Sequence, residues 1–179
     1  MRCFKICLLM LCVMFAFTAE AKKDKNAAEG YKCEEKSEKM YCSDENGIPL
    51  SGKYTTFYSN KKTKSIENYK NGYRDGLSTF FTPKGAQEER TYYKQGVKNG
   101  MSKIYYPNRT IKFSADYADG LLDGRFEIYS LKGNLLGRFT YKNGSLVKGY
   151  CVNDKNKKNL TANEISAHPF NTIITCGVE

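Results

Sequence analysis

Four kinds of side chain in this 179-residue sequence stand where they could do chemistry: paired cysteines, corner carboxylates, one histidine, and lysines beside tyrosines. Of the seven cysteines, Cys3, Cys7 and Cys12 fall in an apolar N-terminal stretch, which leaves Cys33, Cys42, Cys151 and Cys176. An even number reads as disulfides, with three possible connectivities. Position favours Cys33–Cys42 and Cys151–Cys176, because those pairs lie just outside the two ends of the central region. Their separations are 9 and 25 residues, and closing either loop contributes about 3 kcal/mol on the chain-entropy account. A zinc site is the alternative use, but no Cys-x-x-Cys occurs and His168 is remote in sequence.

The other groups give weaker chemistry. His168 sits alone in His-Pro-Phe, and no Gly-x-Ser-x-Gly, phosphate loop or His-Glu-x-x-His is present. Asp75, Asp119 and Asp123 each stand beside a glycine. A calcium ladder would need several oxygen ligands per unit, and Asn99 and Lys148 occupy equivalent corners, so turn formation is the reading. A wall hydrolase would need two carboxylates near an aromatic groove, and no pair stands out. The expectation is a non-enzymatic chain with no metal and no cofactor. Lys61, Lys62 and Lys64 beside Tyr58, with Tyr106 at the matching place further on, are the candidate binding residues for an anionic or protein surface.

What must position these groups is a repeat. Tyr-x-x-Gly returns at Tyr69–Gly72, Tyr93–Gly96, Tyr117–Gly120 and Tyr141–Gly144, always 24 residues apart. A second glycine follows at Gly76, Gly100 and Gly124, and one residue late at Gly149, with Gly52 opening the series. A period in this range signals stacked supersecondary units. Within each unit, Thr56-Phe57-Tyr58, Phe80-Phe81, Ile104-Tyr105-Tyr106 and Ile128-Tyr129 are strand formers at equal offsets. Turn residues follow, such as Ser59-Asn60 and Pro107-Asn108, and then a second strand leads into the tyrosine phrase. Each unit is therefore expected to be a β-hairpin. Side-by-side hairpins would set Phe57, Phe81, Tyr105 and Tyr129 in one inner ladder and Tyr69, Tyr93, Tyr117 and Tyr141 in another. A side chain at Gly76, Gly100 or Gly124 would crowd the neighbouring unit.

The flanks read differently. Arg2 and Lys5, the apolar run Ile6–Phe17 and Ala19-Glu20-Ala21 form a secretory signal pattern over 1–21. The 12-residue run is too short for a spanning helix, which needs roughly 20. Residues 22–30 read as a flexible leader, 31–150 as the array with an N-terminal capping hairpin, and 151–179 as a C-terminal cap, in which Thr161–Glu164 suits a helical turn and Asn171–Cys176 a strand. Removing residues 1–21 takes Arg2, Lys5 and Glu20 from the net charge of +10 and leaves +9. That balance favours anionic partners, and export makes nucleic acid an unexpected one.

The unit Gly-x4-aromatic-(Tyr)-x-Asn/Gly followed by Tyr-x-Asn-Gly-x-x-Asp-Gly, over Gly47 to Gly149, resembles the MORN repeat in the bacterial YwqK-like variant, whose members are described as antitoxins. The resemblance implies an all-β, elongated single-layer array of antiparallel hairpins with a groove lined by aromatics, here with disulfide-stapled ends. It also implies a scaffold role, phospholipid binding, or a protein-binding antitoxin. For an exported chain this becomes an interaction module for a protein or an anionic envelope component, or a periplasmic or secreted immunity-like protein. The membrane surface is a possible partner, without spanning.

Overall fold

The computed structural model describes residues 30–37, 39–153, 156–160 and 176. The signal and leader segments and most of the expected C-terminal cap, with its helical turn and strand, lie outside the described residues. The described part is all-β: one open sheet of thirteen antiparallel strands. In chain order these are β1 (Tyr31–Lys36), β2 (Lys39–Asp44), β3 (Gly52–Phe57), β4 (Thr63–Lys70), β5 (Tyr73–Arg74), β6 (Gly76–Phe81), β7 (Gln87–Lys94), β8 (Val97–Tyr105), β9 (Ile111–Ala118), β10 (Leu121–Tyr129), β11 (Leu135–Lys142), β12 (Ser145–Asn153) and β13 (Asn156–Leu160). From β6 to β13 each strand lies beside its sequence neighbour. This is the single-layer hairpin array that the 24-residue period predicts.

Two kinds of turn alternate along the meander, so each forms one long edge. The tight turns Asn71-Gly72, Gln95-Gly96, Asp119-Gly120 and Asn143-Gly144 have positive φ at both residues. That is the two-residue geometry whose twist matches the flanking strands. The wider turns span Tyr58–Lys62, Thr82–Ala86, Tyr106–Thr110 and Ser130–Asn134, and each is closed by backbone bonds between its first and last residues.

The second set of glycines has a different reason. Gly52, Gly76, Gly100 and Gly124 stand directly opposite Tyr69, Tyr93, Tyr117 and Tyr141. An aromatic ring opposite a glycine covers backbone that would otherwise be bare. These glycines lie where the register slips, for example between Leu122 and Phe126 of β10 against Tyr117 and Ala115 of β9. The surplus residues turn each tight corner back onto the preceding unit, where Gly96, Gly120 and Gly144 donate N–H bonds to the carbonyls of Arg74, Lys98 and Leu122.

One face of the sheet carries the buried strand positions: Tyr54, Ser65, Glu67, Tyr69, Ser78, Thr91, Ser102, Ala115, Phe126, Ile128, Phe139 and Tyr141. The tyrosine row belongs to this inner face, but its members do not meet as a ring ladder. Equivalent positions are two strands apart, about 10 Å, and the strand between them inserts Arg74, Lys98 and Leu122, which pair with Tyr69, Tyr93 and Tyr117. The other expected inner row is corrected by one residue. Strand alternation places Phe57, Phe81, Tyr105 and Tyr129 on the opposite face, and Phe57 is 40% exposed. Thr56, Phe80, Ile104 and Ile128 take the inner positions. Each doublet offered one apolar residue to either face, and a shift of one residue exchanges the faces.

The inner face changes character along the array. Towards the C-terminus it is apolar, with Phe126 stacked on Phe113 at 6.1 Å and edge-on to Tyr141 at 6.2 Å. Cys151 is bonded to Cys176, which packs against this cluster. At the N-terminus Cys33 and Cys42 face each other across β1 and β2 and are disulfide-bonded. Cys42 is fully buried with Leu50, Tyr54 and Tyr69. The first staple thus joins the end strand β1 to a local core, and the second ties Cys176 to the core at β12, the last strand but one.

Candidate functional site: a cationic turn edge on a locked array

The polar half of the inner face is built from the residues between the tyrosines. Glu67, 5% exposed, accepts bonds from Ser65 Oγ at 2.7 Å and Tyr69 Oη at 3.1 Å, and pairs with Arg74 Nε. The Arg74 guanidinium also lies 5.6 Å from the Phe80 ring and 5.4 Å from the Tyr93 ring. One unit later Glu89 takes a bond from Thr91 Oγ1 at 2.6 Å and an ion pair from Lys98 Nζ at 3.4 Å, and Lys98 lies 5.3 Å from the Tyr117 ring. Burial pushes the Tyr69 phenol up, reinforced by the Glu67 charge. Tyr93 and Tyr117 are also raised, again chiefly by burial. These carboxylates are committed to cations and hydroxyls, an arrangement that holds charge in place inside a sheet face. Ser78 Oγ, beneath this network, is buried without a hydrogen-bond partner.

The corner carboxylates stitch turns. Asp75 and Asp123 accept the backbone N–H groups of Gln95 and Asn143 at 3.2 and 3.1 Å, one hairpin onward. Asp119 accepts from Asn99 Nδ2 at 3.2 Å. Lys142 pairs with Asp123, and that bond holds the Asp123 carboxyl below its ordinary range, helped by the Asn143 N–H. Among the described residues no group of three metal-ligating side chains converges.

The two candidate binding tyrosines turn out to be latches. Tyr58 Oη donates to the Phe81 carbonyl at 2.6 Å, and Tyr106 Oη to the Tyr129 carbonyl at 2.9 Å. Two residues on, Asn60 and Asn108 donate to the carbonyls of Pro83 and Leu131 at 2.9 and 2.8 Å. A Tyr-x-Asn turn thus clamps the following turn, and that following turn carries Thr82 or Ser130, which bonds its own loop instead. The wide turns therefore alternate with a period of two hairpins, a second repeat lying across the first. Its sequence signal was Tyr58-x-Asn60 and Tyr106-x-Asn108, 48 residues apart.

What the latches hold is a row of cations. Lys61, Lys62, Lys84, Arg109 and Lys132 all lie on the wide turns and are exposed, and none of the four turns contains Asp or Glu. Lys62 Nζ reaches the Lys84 carbonyl at 3.0 Å, which ties the first turn to the second. Lys64, also exposed, follows on β4 and has its own interaction partner. Successive turns stand about 10 Å apart, two strand spacings. That is close to the screening length at physiological salt, so an extended anion would feel neighbouring turns together.

Comparison with known proteins adds little. No family model matches the chain, and no curated protein matches it. Among solved structures, a mutant S. aureus TarM crystallised with fondaparinux, alpha-GlcNAc-glycerol and UDP is similar over 76% of this chain and 22% of its own, with 13% identity and a TM-score of 0.30. This chain spans about a fifth of that protein's length. No helix among the described residues is long and apolar enough to cross a membrane.

Proposed function

We propose that this is an exported, non-enzymatic MORN-like interaction module whose wide-turn edge docks on a polyanionic component of the cell envelope. The observation that carries the reading is the latched row Lys61, Lys62, Lys84, Arg109 and Lys132, cationic in every wide turn and free of carboxylates. Preorganised turns lose little conformational freedom on binding, so the electrostatic gain is not spent on ordering loops. Export is supported by the N-terminal signal pattern and by two disulfides, which persist in oxidising compartments.

The test is co-sedimentation of the mature chain with phosphatidylglycerol vesicles, with phosphatidylcholine vesicles and with beads carrying a sulfated polysaccharide. Retention on either anionic surface, falling steeply with salt and weakened when Lys61, Lys62, Arg109 and Lys132 become Gln, is the expected result. The anionic arm that retains the protein separates lipid headgroup from polymer. Binding that ignores salt, or absent from both anionic surfaces, overturns the proposal.

A further inference from the structure

The repeat is broken at one place, and that place is a cleft. In the later units the long strand runs unbroken through its glycine, as in β8 and β10, but in the first it is split at Asp75 into β5 and β6. There β2 of the capping hairpin crosses the tight-turn edge. A Cβ at Gly72 would strike the Tyr41 ring, and one at Gly96 would sit 3.1 Å from Lys39 Cβ. The overhang and the two turns border an open cleft of about 730 Å³, with Lys39, Lys70, Tyr73, Asp75, Lys94 and Gln95 in its lining.

The chemistry of this lining is mixed in a specific way. Three ammonium groups, Lys39, Lys70 and Lys94, face one carboxylate, Asp75, which is already engaged with the Gln95 N–H. None of the three lysines is ion-paired among the described residues, although Lys39 is half-buried against Gly96. Three cations against one carboxylate leave a net positive cleft, which favours an anion there. Asn71 and Gln95 bring amides that both donate and accept, which suits hydroxyls, and Asn99 adds a further amide whose Nδ2 also bonds Asp119. Tyr73 brings ring surface and is braced by Tyr41 at 5.1 Å. The set is particular to the first two units: one 24-residue step further on, Tyr73, Lys94 and Gln95 give way to Val97, Ala118 and Asp119.

From this we infer that the cleft is a binding site for a short acidic saccharide, a sugar chain bearing carboxylate, sulfate or phosphate groups. The lysines take the charges, the amides the hydroxyls, and Tyr73 the apolar ring face. The inference deepens the proposed docking on anionic envelope material by naming a saccharide and a second, local site for it.

The experiment uses the mature chain on an array of uronate-, sulfate- and phosphate-bearing oligosaccharides beside neutral ones of equal length. Acidic oligosaccharides alone should be retained, and Lys70→Gln with Lys94→Gln should weaken retention by about tenfold or more, since each removes a charged contact. Tyr73→Ala should weaken it similarly, while Tyr73→Phe keeps it. Both lysines are exposed, so folding of that variant is not at issue. Loss on the Lys70/Lys94 variant, with retention by the wide-turn variant, supports the cleft. The reverse pattern overturns the cleft and leaves the wide-turn edge standing, and no retention of any acidic oligosaccharide overturns the cleft outright.

Discussion

Replacing Glu67 by Gln isolates the buried charge network and gives the sharpest test of the inner-face description. The substitution keeps the shape but leaves the Arg74 guanidinium, whose side chain is 22% exposed, without its counter-charge against a partner that is 6% exposed. Breaking one side of a buried pair costs about 3 to 5 kcal/mol. Because Arg74 keeps some solvent and its two aromatic neighbours, the lower end, about 3 kcal/mol, is the expectation. For a chain of this size that lowers Tm by roughly 6 to 12 °C. Arg74→Met alone strands the Glu67 carboxylate with only the Ser65 and Tyr69 hydroxyls and should cost about as much. The double variant removes both charges and leaves an apolar chain beside Phe80 and Tyr93, so it should return to within about 1 kcal/mol of the parent. Thermal and urea unfolding followed by circular dichroism, with disulfides intact, measures all four corners of the cycle. If the double variant is as unstable as the two single ones added together, Glu67 and Arg74 are not coupled and the network does not exist as described.

The other predictions are shorter. Gly76, Gly100 and Gly124 share φ between 102° and 121°, but an added Cβ would meet its nearest neighbour at 3.5, 3.2 and 2.8 Å. Alanine should therefore cost about 1 to 3 kcal/mol of backbone strain everywhere, with destabilisation rising in the order Gly76, Gly100, Gly124, as read by urea midpoints; equal costs would leave strain as the whole effect. Tyr58→Phe and Tyr106→Phe remove one latch bond each and should lower stability by about 1 kcal/mol, measured the same way, and should weaken vesicle retention, because the turns that carry the cations are then less ordered. Alkaline titration tests burial of the tyrosine row, since Tyr69, Tyr93 and Tyr117 have raised phenol pKa values. A raised folded value means stability that is complete below the ordinary tyrosine pKa of about 10 and lost as pH climbs through the folded one. Phenolate absorbance should accordingly show a late class of tyrosines that ionises only above that range, together with loss of β-sheet signal.

The sequence by itself determined the topology. A 24-residue period with paired glycines admits little but stacked hairpins, because Asn-Gly and Gln-Gly steps demand two-residue turns and each unit is too small to bury its own face. It also pointed to the disulfide pairs, since cysteines near the two ends of an array lie in reach only of their local partners. Only the tertiary structure decided which side of each aromatic doublet faces inward, a matter of single-residue register at the glycine slip that composition leaves balanced. It alone showed that Arg74, Lys98 and Leu122 part the tyrosines, because such contacts lie across strands whose pairing no linear motif records. For the same reason Tyr58 and Tyr106 read in the sequence as candidate binding groups, while in the fold their hydroxyls hold the carbonyls of Phe81 and Tyr129, and no linear motif marks the lysines around the Asp75 break that the capping hairpin brings together.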